Sequence, residues 1–236
     1  MKRRSLLASL CALPLASCQG ESATVRFKVI ASATVDGRPV ESSSVMEISY
    51  SKVTHSLIGA GGTTRLYGEA LIFDLGGKGT VYVLPIQHDP NNDLTQVYEE
   101  GVLTTFGIKN SIGSLSNADF ETLRRATGRR PFRYYKTSRL PVIVSFKNEH
   151  DPKTIFEIQP GEIGRYFSGV KFTGLDVEIT KERITSRLRD RLPWLDMTAA
   201  PRKIFPRDPP GVSRPRRELP FNYMITPADF FGDGSR

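Results

Sequence analysis

Residues 24–53 read TVRFKVIASATVDGRPVESSSVMEISYSKV, and this stretch decides the fold. Apolar and polar residues alternate from Thr24 to Val35 and again from Ser43 to Val53. That period of two is typical of strands with one buried face. Asp36-Gly37 between the two runs is a strong signal for a tight turn. The sequence therefore predicts a long β-hairpin.

Further β-forming runs follow the hairpin. Thr64–Leu75 and Thr80–Ile86 are predicted as the next two strands, with a glycine-rich turn between them. Residues 24–86 are thus expected to form a four-stranded antiparallel meander. A short strand is predicted over Val102–Ile108.

The second half of the chain mixes strands with short helices. Ser116 and Asp119 have the spacing of a capping box, so a helix is predicted over Asn117–Ala126. Further predicted strands are Leu140–Phe146, Thr154–Ile158 and Val170–Thr180, and further predicted helices are Glu162–Phe167 and Lys181–Arg191. The only tryptophan, Trp194, follows a proline at a helix end and is expected to fill the core. We expect a mainly β (α+β) fold, an antiparallel β-rich body with two or three short helices.

The first twenty residues differ from the rest. Lys2, Arg3 and Arg4 precede a short apolar stretch, which is the layout of a secretory signal. That stretch is too short to span a bilayer, which takes about 20 residues. It ends in Leu15-Ala16-Ser17-Cys18, which resembles the lipobox of bacterial lipoproteins.

The lipobox resemblance implies how the chain is processed. Signal peptidase II would recognise Leu15, Ala16 and Ser17 and remove residues 1–17, and Cys18 would carry the lipid. Residues 18–23 are then a tether to the membrane. Gln19 after the cysteine favours the outer membrane, facing the periplasm. Because Cys11 lies in the removed segment, no disulfide is expected.

The folded part is divided by composition. Residues 24–115 form a β-rich N-terminal half and residues 116–196 an α+β C-terminal half, as one domain or as two small ones. Residues 197–236 contain a Pro- and Arg-rich arm, expected to be extended, and an aromatic tail. The tail from Phe221 is too apolar for a solvated end, so we expect it to dock on the body or on a partner.

Several short motifs are similar to those of a family of proteobacterial exported proteins. They are Gly68-Glu69-Ala70, Asp151-Pro152, Ile158 with Pro160, Val177-Glu178-Ile179-Thr180 and Leu192-Pro193-Trp194-Leu195. The resemblance covers about half of the chain. It implies an envelope location and no catalytic residues.

Catalytic motifs are weak in this sequence. His55, His88 and His150 lack partners at metal-ligand spacing, although His88, Asp89 and Asp93 could be imagined as a site. Residues 59–62 (GAGG) do not match a phosphate loop, and no serine lies in a nucleophile elbow. Glu69 and Asp74 are predicted on opposite faces of one strand. We therefore predict no catalytic residue, metal or cofactor.

Positive charge is concentrated in parts of the chain. The net charge is +8, and +5 without the three basic residues at the start. The basic side chains at the end of the predicted helix, Arg124, Arg125, Arg129 and Arg130, form either a solvated surface or a patch for an anionic ligand. An exported protein rarely meets nucleic acid, so an anionic lipid, a polysaccharide or an envelope protein is the expected partner.

The sequence thus favours a lipid-anchored envelope protein that acts as a non-catalytic binding or structural module. A lipoprotein hydrolase of envelope polymer and an accessory subunit of an envelope complex are the alternatives. A deep pocket with converging polar side chains would favour the enzyme, whereas an apolar groove or open sheet edge would favour binding.

Overall fold

The computed structural model describes residues 21–53, 61–134, 140–196, 204–208, 214 and 218–235. Within them the chain forms antiparallel sheets with short helices, which confirms the mainly β (α+β) prediction. The lipobox residues, His55 and most of the Pro- and Arg-rich arm lie outside the described residues.

The predicted hairpin is present. Strands β1 (Ser22–Val35) and β2 (Arg38–Val53) pair along their whole length, with Val29 opposite Ser44. Asp36 and Gly37 form the turn with φ angles of 48° and 80°, which the Asp-Gly pair tolerates.

The hairpin lies inside a five-stranded sheet. Its order is β3 (Gly61–Tyr67), β2, β1, β11 (Val170–Ile179) and β8 (Arg129–Pro131). Gly61 and Gly62 of the GAGG segment therefore begin a strand. Because β1 pairs with β11, residues from both halves of the chain share this sheet.

The predicted four-stranded meander is wrong, because the chain changes sheets at Gly68. A second sheet has the order β10 (Ile155–Ile158), β9 (Ile143–Phe146), β5 (Thr80–Val83) and β4 (Leu71–Asp74). The strand predicted over 64–75 is thus two strands, β3 and β4. Gly68 has φ 131°, and a Cβ there would lie 2.8 Å from the Met46 side chain. A glycine is needed at this corner.

A two-stranded sheet, β6 (Ile86–His88) with β7 (Leu94–Gln96), follows β5.

Two helix regions differ from prediction. Helix α1 (Tyr98–Thr105) replaces the strand predicted over 102–108, because Tyr98 and Val102, four residues apart, are buried on one face. Of the helix predicted over 181–191, only the last turn is helical, and it forms α4 (Leu188–Arg191). The preceding segment is bonded to β2 instead, since Thr185 N–H donates to Val45 O at 3.1 Å and Thr185 Oγ1 accepts from Val45 N–H at 2.9 Å.

Other helices follow the sequence closely. Helix α2 (Asn117–Arg125) has the predicted capping box between Ser116 and Asp119. Helix α3 (Ile163–Tyr166) continues a 3-10 turn over Pro160–Glu162, and α5 (Phe221–Met224) lies in the tail. None of the helices in the described part of the chain is long and apolar enough to cross a membrane.

The second sheet is buried on both faces. On β5, Val81 and Val83 face a core shared with the five-stranded sheet, and Tyr82 faces a second core. Trp194 lies in that second core with 5% exposure, as expected for a core residue.

Candidate functional site

The C-terminal tail closes the second core and forms one wall of the first cleft described below. Ala70 N–H donates to Phe230 O at 2.8 Å, and Gly232 N–H donates to Gly68 O at 3.0 Å. Leu66 N–H donates to an Asp233 carboxylate oxygen at 2.8 Å. Aromatic and aliphatic side chains of the tail are buried, namely Met224, Ile225, Phe230 and Phe231. The prediction that the tail docks on the body is confirmed.

Glu69 contacts both the tail and the start of helix α4, because its backbone forms a β-bridge with Phe231 and its side chain bonds to α4. Its side chain accepts hydrogen bonds from the backbone N–H groups of Arg187, the N-cap of α4, and of Leu188, the first residue of that helix. Burial raises the pKa of Glu69, and these two hydrogen bonds oppose that rise. Glu69 lies between β3 and β4 with 4% exposure, so the prediction that it shares a strand with Asp74 is wrong.

The first cleft lies between the tail and strand β10, and we call it the His88 cleft. Its volume is about 560 Å³, within the usual range for small-molecule sites. Most lining residues are apolar: Leu140, Pro141, Val142, Ile143, Ile158, Pro160, Leu219, Phe221 and Met224. The polar lining residues are His88, Asn92, Glu157 and Gln159.

His88 and Glu157 form a polar pair in this cleft. The His88 Nε2 atom lies 3.1 Å from Glu157 Oε2, and both side chains are mostly buried, with 17% and 23% exposure. The other carboxylate oxygen of Glu157 accepts from Gln159 Nε2 at 3.1 Å. The His88 ring also contacts Phe221 edge-on, with the centroids 6.3 Å apart. The pair therefore brings an imidazole and a carboxylate to the wall of the cleft, where both can hydrogen-bond to a ligand.

The lining of the His88 cleft restricts its chemistry. Among the described residues that line it there is no serine, threonine, cysteine, lysine or tyrosine, and Glu157 is the single carboxylate. Glu157 and His88 are therefore the possible nucleophiles in this lining. Glycoside hydrolysis ordinarily uses two carboxyl groups, and this lining supplies one.

A second cleft, which we call the Glu99 cleft, is also lined by His88. Its volume is about 490 Å³. The other lining residues are Gln87, Asp89, Pro90, Thr95, Gln96, Glu99, Glu100, Ile112 and Tyr134. Glu99 is in the first turn of α1, and its Oε1 accepts from Thr64 Oγ1 at 2.8 Å. Burial raises the pKa of Glu99, and the charges of Asp233 and Glu100 add to the rise.

Sequence reasoning missed both clefts. His88 and Glu157 are 69 residues apart, and no motif links them. No motif marks Glu99, and the apolar run that follows it also fits a strand. The acidic first turn of α1 is a signal that could have indicated this helix start.

The predicted arginine patch is exposed, and much of its charge is compensated. Arg124 and Arg125 both pair with Glu121, at 2.5 Å and 3.7 Å. Arg129 bridges Glu41 and Asp176, at 2.7 Å to each. The Arg130 guanidinium lies 4.9 Å from the centre of the Phe106 ring. Binding of an anionic ligand here stays a prediction.

His88 and His150, the two histidines in the described residues, do not converge. His150 is exposed in a loop, away from the lining of either cleft. Asp89 Oδ1 accepts from the backbone N–H groups of Asn91 and Asp93, which shapes the loop after His88. Across the described ranges no group of three His, Cys, Asp or Glu side chains could hold a metal ion. The imagined site of His88, Asp89 and Asp93 is therefore not formed as a metal centre.

Comparison with protein-family models, with curated proteins and with solved structures gives no match. The similarity to proteobacterial exported proteins stays a prediction, and function has to be inferred from the chain itself.

Proposed function

We propose that this chain is a lipid-anchored cell-envelope protein that binds a ligand in the His88 cleft without chemically changing it. The His88 cleft is the observation that carries the binding part of the proposal. Nine of its thirteen lining residues are apolar, and the mostly buried pair of His88 and Glu157 lies among them. A concave site of this size with a few polar groups is usual for a ligand. Its single carboxylate departs from the two carboxyl groups that glycoside hydrolysis ordinarily uses.

The lipobox supports the anchoring part. Two or three acyl chains on Cys18 give stable membrane attachment, whereas a single myristoyl chain binds only marginally. Strand β1 begins at Ser22, so the tether between the lipid and the fold is a few residues long. The folded part of the chain would therefore be held close to the membrane surface.

Metabolic labelling with an alkyne-tagged fatty acid tests the anchor. The wild-type protein should be labelled and cleaved before Cys18, and Cys18→Ser should give an unlabelled, uncut precursor. Equal labelling of both forms would rule out lipid attachment at Cys18.

Fluorescence titration with 1-anilinonaphthalene-8-sulfonate tests the cleft. This probe has apolar aromatic rings and one sulfonate group. It should bind saturably beside His88, with one molecule per protein chain. Leu219→Glu places a carboxylate in the lining and should abolish binding. Tyr166→Glu is a matched control, because Tyr166 is 51% exposed and does not line the cleft.

The hydrolase alternative is tested with purified peptidoglycan. The proposal predicts no release of soluble fragments by the wild-type protein. Fragment release that is lost in Glu157→Gln would show that the cleft is catalytic and would contradict the proposal.

A further inference from the structure

A third cleft, which we call the Lys181 cleft, lies where strands β1 and β11 meet the end of helix α2. Its volume is about 640 Å³. Thr24 near the start of β1, Thr127 after the end of α2 and Lys181 after the end of β11 all line it. Among the described residues it shares no lining residue with the His88 cleft or the Glu99 cleft.

Positive charge exceeds negative charge in the lining of the Lys181 cleft. Its charged residues within the described part of the chain are Arg26, Glu47, Arg124 and Lys181. Arg26 and Glu47 neutralise each other, because their side chains form an ion pair at 2.6 Å. The cations that a ligand would meet are therefore Arg124 and Lys181.

The end of helix α2 supplies the first of these cations. Arg124 and Arg125 both pair with Glu121, at 2.5 Å and 3.7 Å, so two guanidinium groups share one carboxylate. An excess of one positive charge therefore remains at this end of the helix. Both arginines are exposed, which makes that charge accessible from solvent.

Lys181, just after β11, supplies the second cation. It is exposed and forms no ion pair with another described residue. The carboxylate of the next residue, Glu182, is bonded to Lys28 Nζ at 2.6 Å. Thr127 and Thr180 also line the cleft, and their hydroxyl groups can donate to the oxygens of an anion.

The Lys181 cleft lies beside the segment that leads to Cys18. Arg124 Nη2 donates to the carbonyl oxygen of Ser22, the first residue of β1, at 2.7 Å. Ser22 follows Cys18 by four residues, which span at most about 14 Å. A lipid on Cys18 would therefore hold Arg124, and the cleft that it lines, next to the lipid headgroups.

We propose that the Lys181 cleft binds the headgroup of an anionic phospholipid in the membrane that carries the anchor. The phosphate has the negative charge that Arg124 and Lys181 attract, and its oxygens accept from the threonine hydroxyl groups. The inference rests on the proposed anchor at Cys18, because the anchor brings the cleft to the headgroups. An occupied cleft fixes the orientation of the fold on the membrane, which attachment at a single point does not do.

Native mass spectrometry of the purified full-length protein in a polyoxyethylene detergent tests the inference. The protein is mixed with equal amounts of phosphatidylglycerol and phosphatidylethanolamine that have the same acyl chains, so the headgroup charge decides which lipid stays bound. A basic residue near a membrane surface contributes about a fivefold preference for anionic lipid. Since the cleft presents two such residues, phosphatidylglycerol should be retained at least about tenfold in excess.

Variants locate the site. Lys181→Gln removes one charge from the cleft and should lower the preference about fivefold. Lys171→Gln is the matched control, because Lys171 is exposed at the opposite end of β11 and does not line the cleft. Thr127→Lys adds a charge to the lining and should raise the preference. If Lys181→Gln changes the circular dichroism spectrum, Thr127→Lys decides the test.

Three results would overturn the inference. One is equal retention of the two lipids by the wild type, and another is an equal loss of preference in Lys181→Gln and Lys171→Gln. The third is a dimer without lipid preference that Lys181→Gln dissociates, which would assign this surface to a second copy of the chain.

Fatty-acid labelling of Cys18 separates this inference from the proposed anchor. A labelled protein without the lipid preference would refute the headgroup site alone. An unlabelled protein that still prefers phosphatidylglycerol would refute the anchor and support the headgroup site.

Discussion

Replacing Phe230 with alanine should strongly destabilise the protein, because this side chain fastens the tail to the second core. Phe230 is fully buried. Its ring lies 5.6 Å from that of Trp194 and 6.4 Å from that of Phe146, centroid to centroid. Its backbone carbonyl accepts from Ala70, and alanine can keep that bond. The substitution thus isolates the contribution of the ring.

The magnitude follows from burial. Truncating a buried phenylalanine to alanine costs about 3–5 kcal/mol, through lost transfer free energy and the cavity left behind. Natural domains have a total stability of about 5–15 kcal/mol, so the loss is a large share. For a chain of this size each kcal/mol corresponds to about 2–4 °C, and we expect the Tm to fall by roughly 6–20 °C.

Urea unfolding measures this change. Fluorescence of Trp194, the sole tryptophan, reports on the second core, and far-ultraviolet circular dichroism reports on the sheets. Both probes are needed, because Trp194 contacts Phe230 and could respond to a local change alone. Tyr166→Ala is the control: Tyr166 is 51% exposed, and its removal should cost less than about 1 kcal/mol. A Phe230→Ala protein within about 0.5 kcal/mol of wild type by both probes would refute the view that the tail fastens the fold.

Four further predictions concern single interactions. Glu69→Ala leaves two backbone N–H groups of α4 without their acceptor and should cost about 2–4 kcal/mol in urea unfolding. The pKa of Glu69 is raised in the folded state, so the folded protein holds this proton more strongly than the unfolded chain does. The stability of the wild type relative to Glu69→Gln should therefore fall as the pH rises from about 4.3 through the raised pKa. A stability difference that increases with pH would contradict this. Arg129→Ala removes two exposed ion pairs and should cost no more than about 1 kcal/mol, with a smaller effect at high salt. With Cys11 removed and Cys18 acylated, the mature protein should melt at the same temperature with and without reductant, whereas a clear drop in reductant would show that the cysteines were misassigned.

Local features of the fold could be predicted from the sequence. The alternation in β1 and β2 and the Asp36-Gly37 turn depend on neighbouring residues, and the hairpin appears as predicted. The same holds for the capping box of α2, where Ser116 and Asp119 satisfy each other's backbone N–H groups. The excess of apolar side chains in the tail was enough to predict that it docks.

The partition into two sheets could not be predicted in this way. The strand-like pattern continues across Gly68, and only the close approach of Met46 shows why the chain turns there. Helix α1 likewise depends on burial of Tyr98 and Val102 against other elements, since its short apolar run also fits a strand.

The sequence by itself determined the hairpin around Asp36-Gly37 and the capping box of α2. It also supplies the hypothesis of an anchor at Cys18, from which no disulfide is expected. Tertiary structure alone decided the clefts. His88 meets Glu157, and Thr64 meets Glu99, across 69 and 35 residues of chain. Turns, caps and amphipathic periods are set by contacts between near neighbours, whereas a binding site is set by which distant segments the sheets and the docked tail bring together.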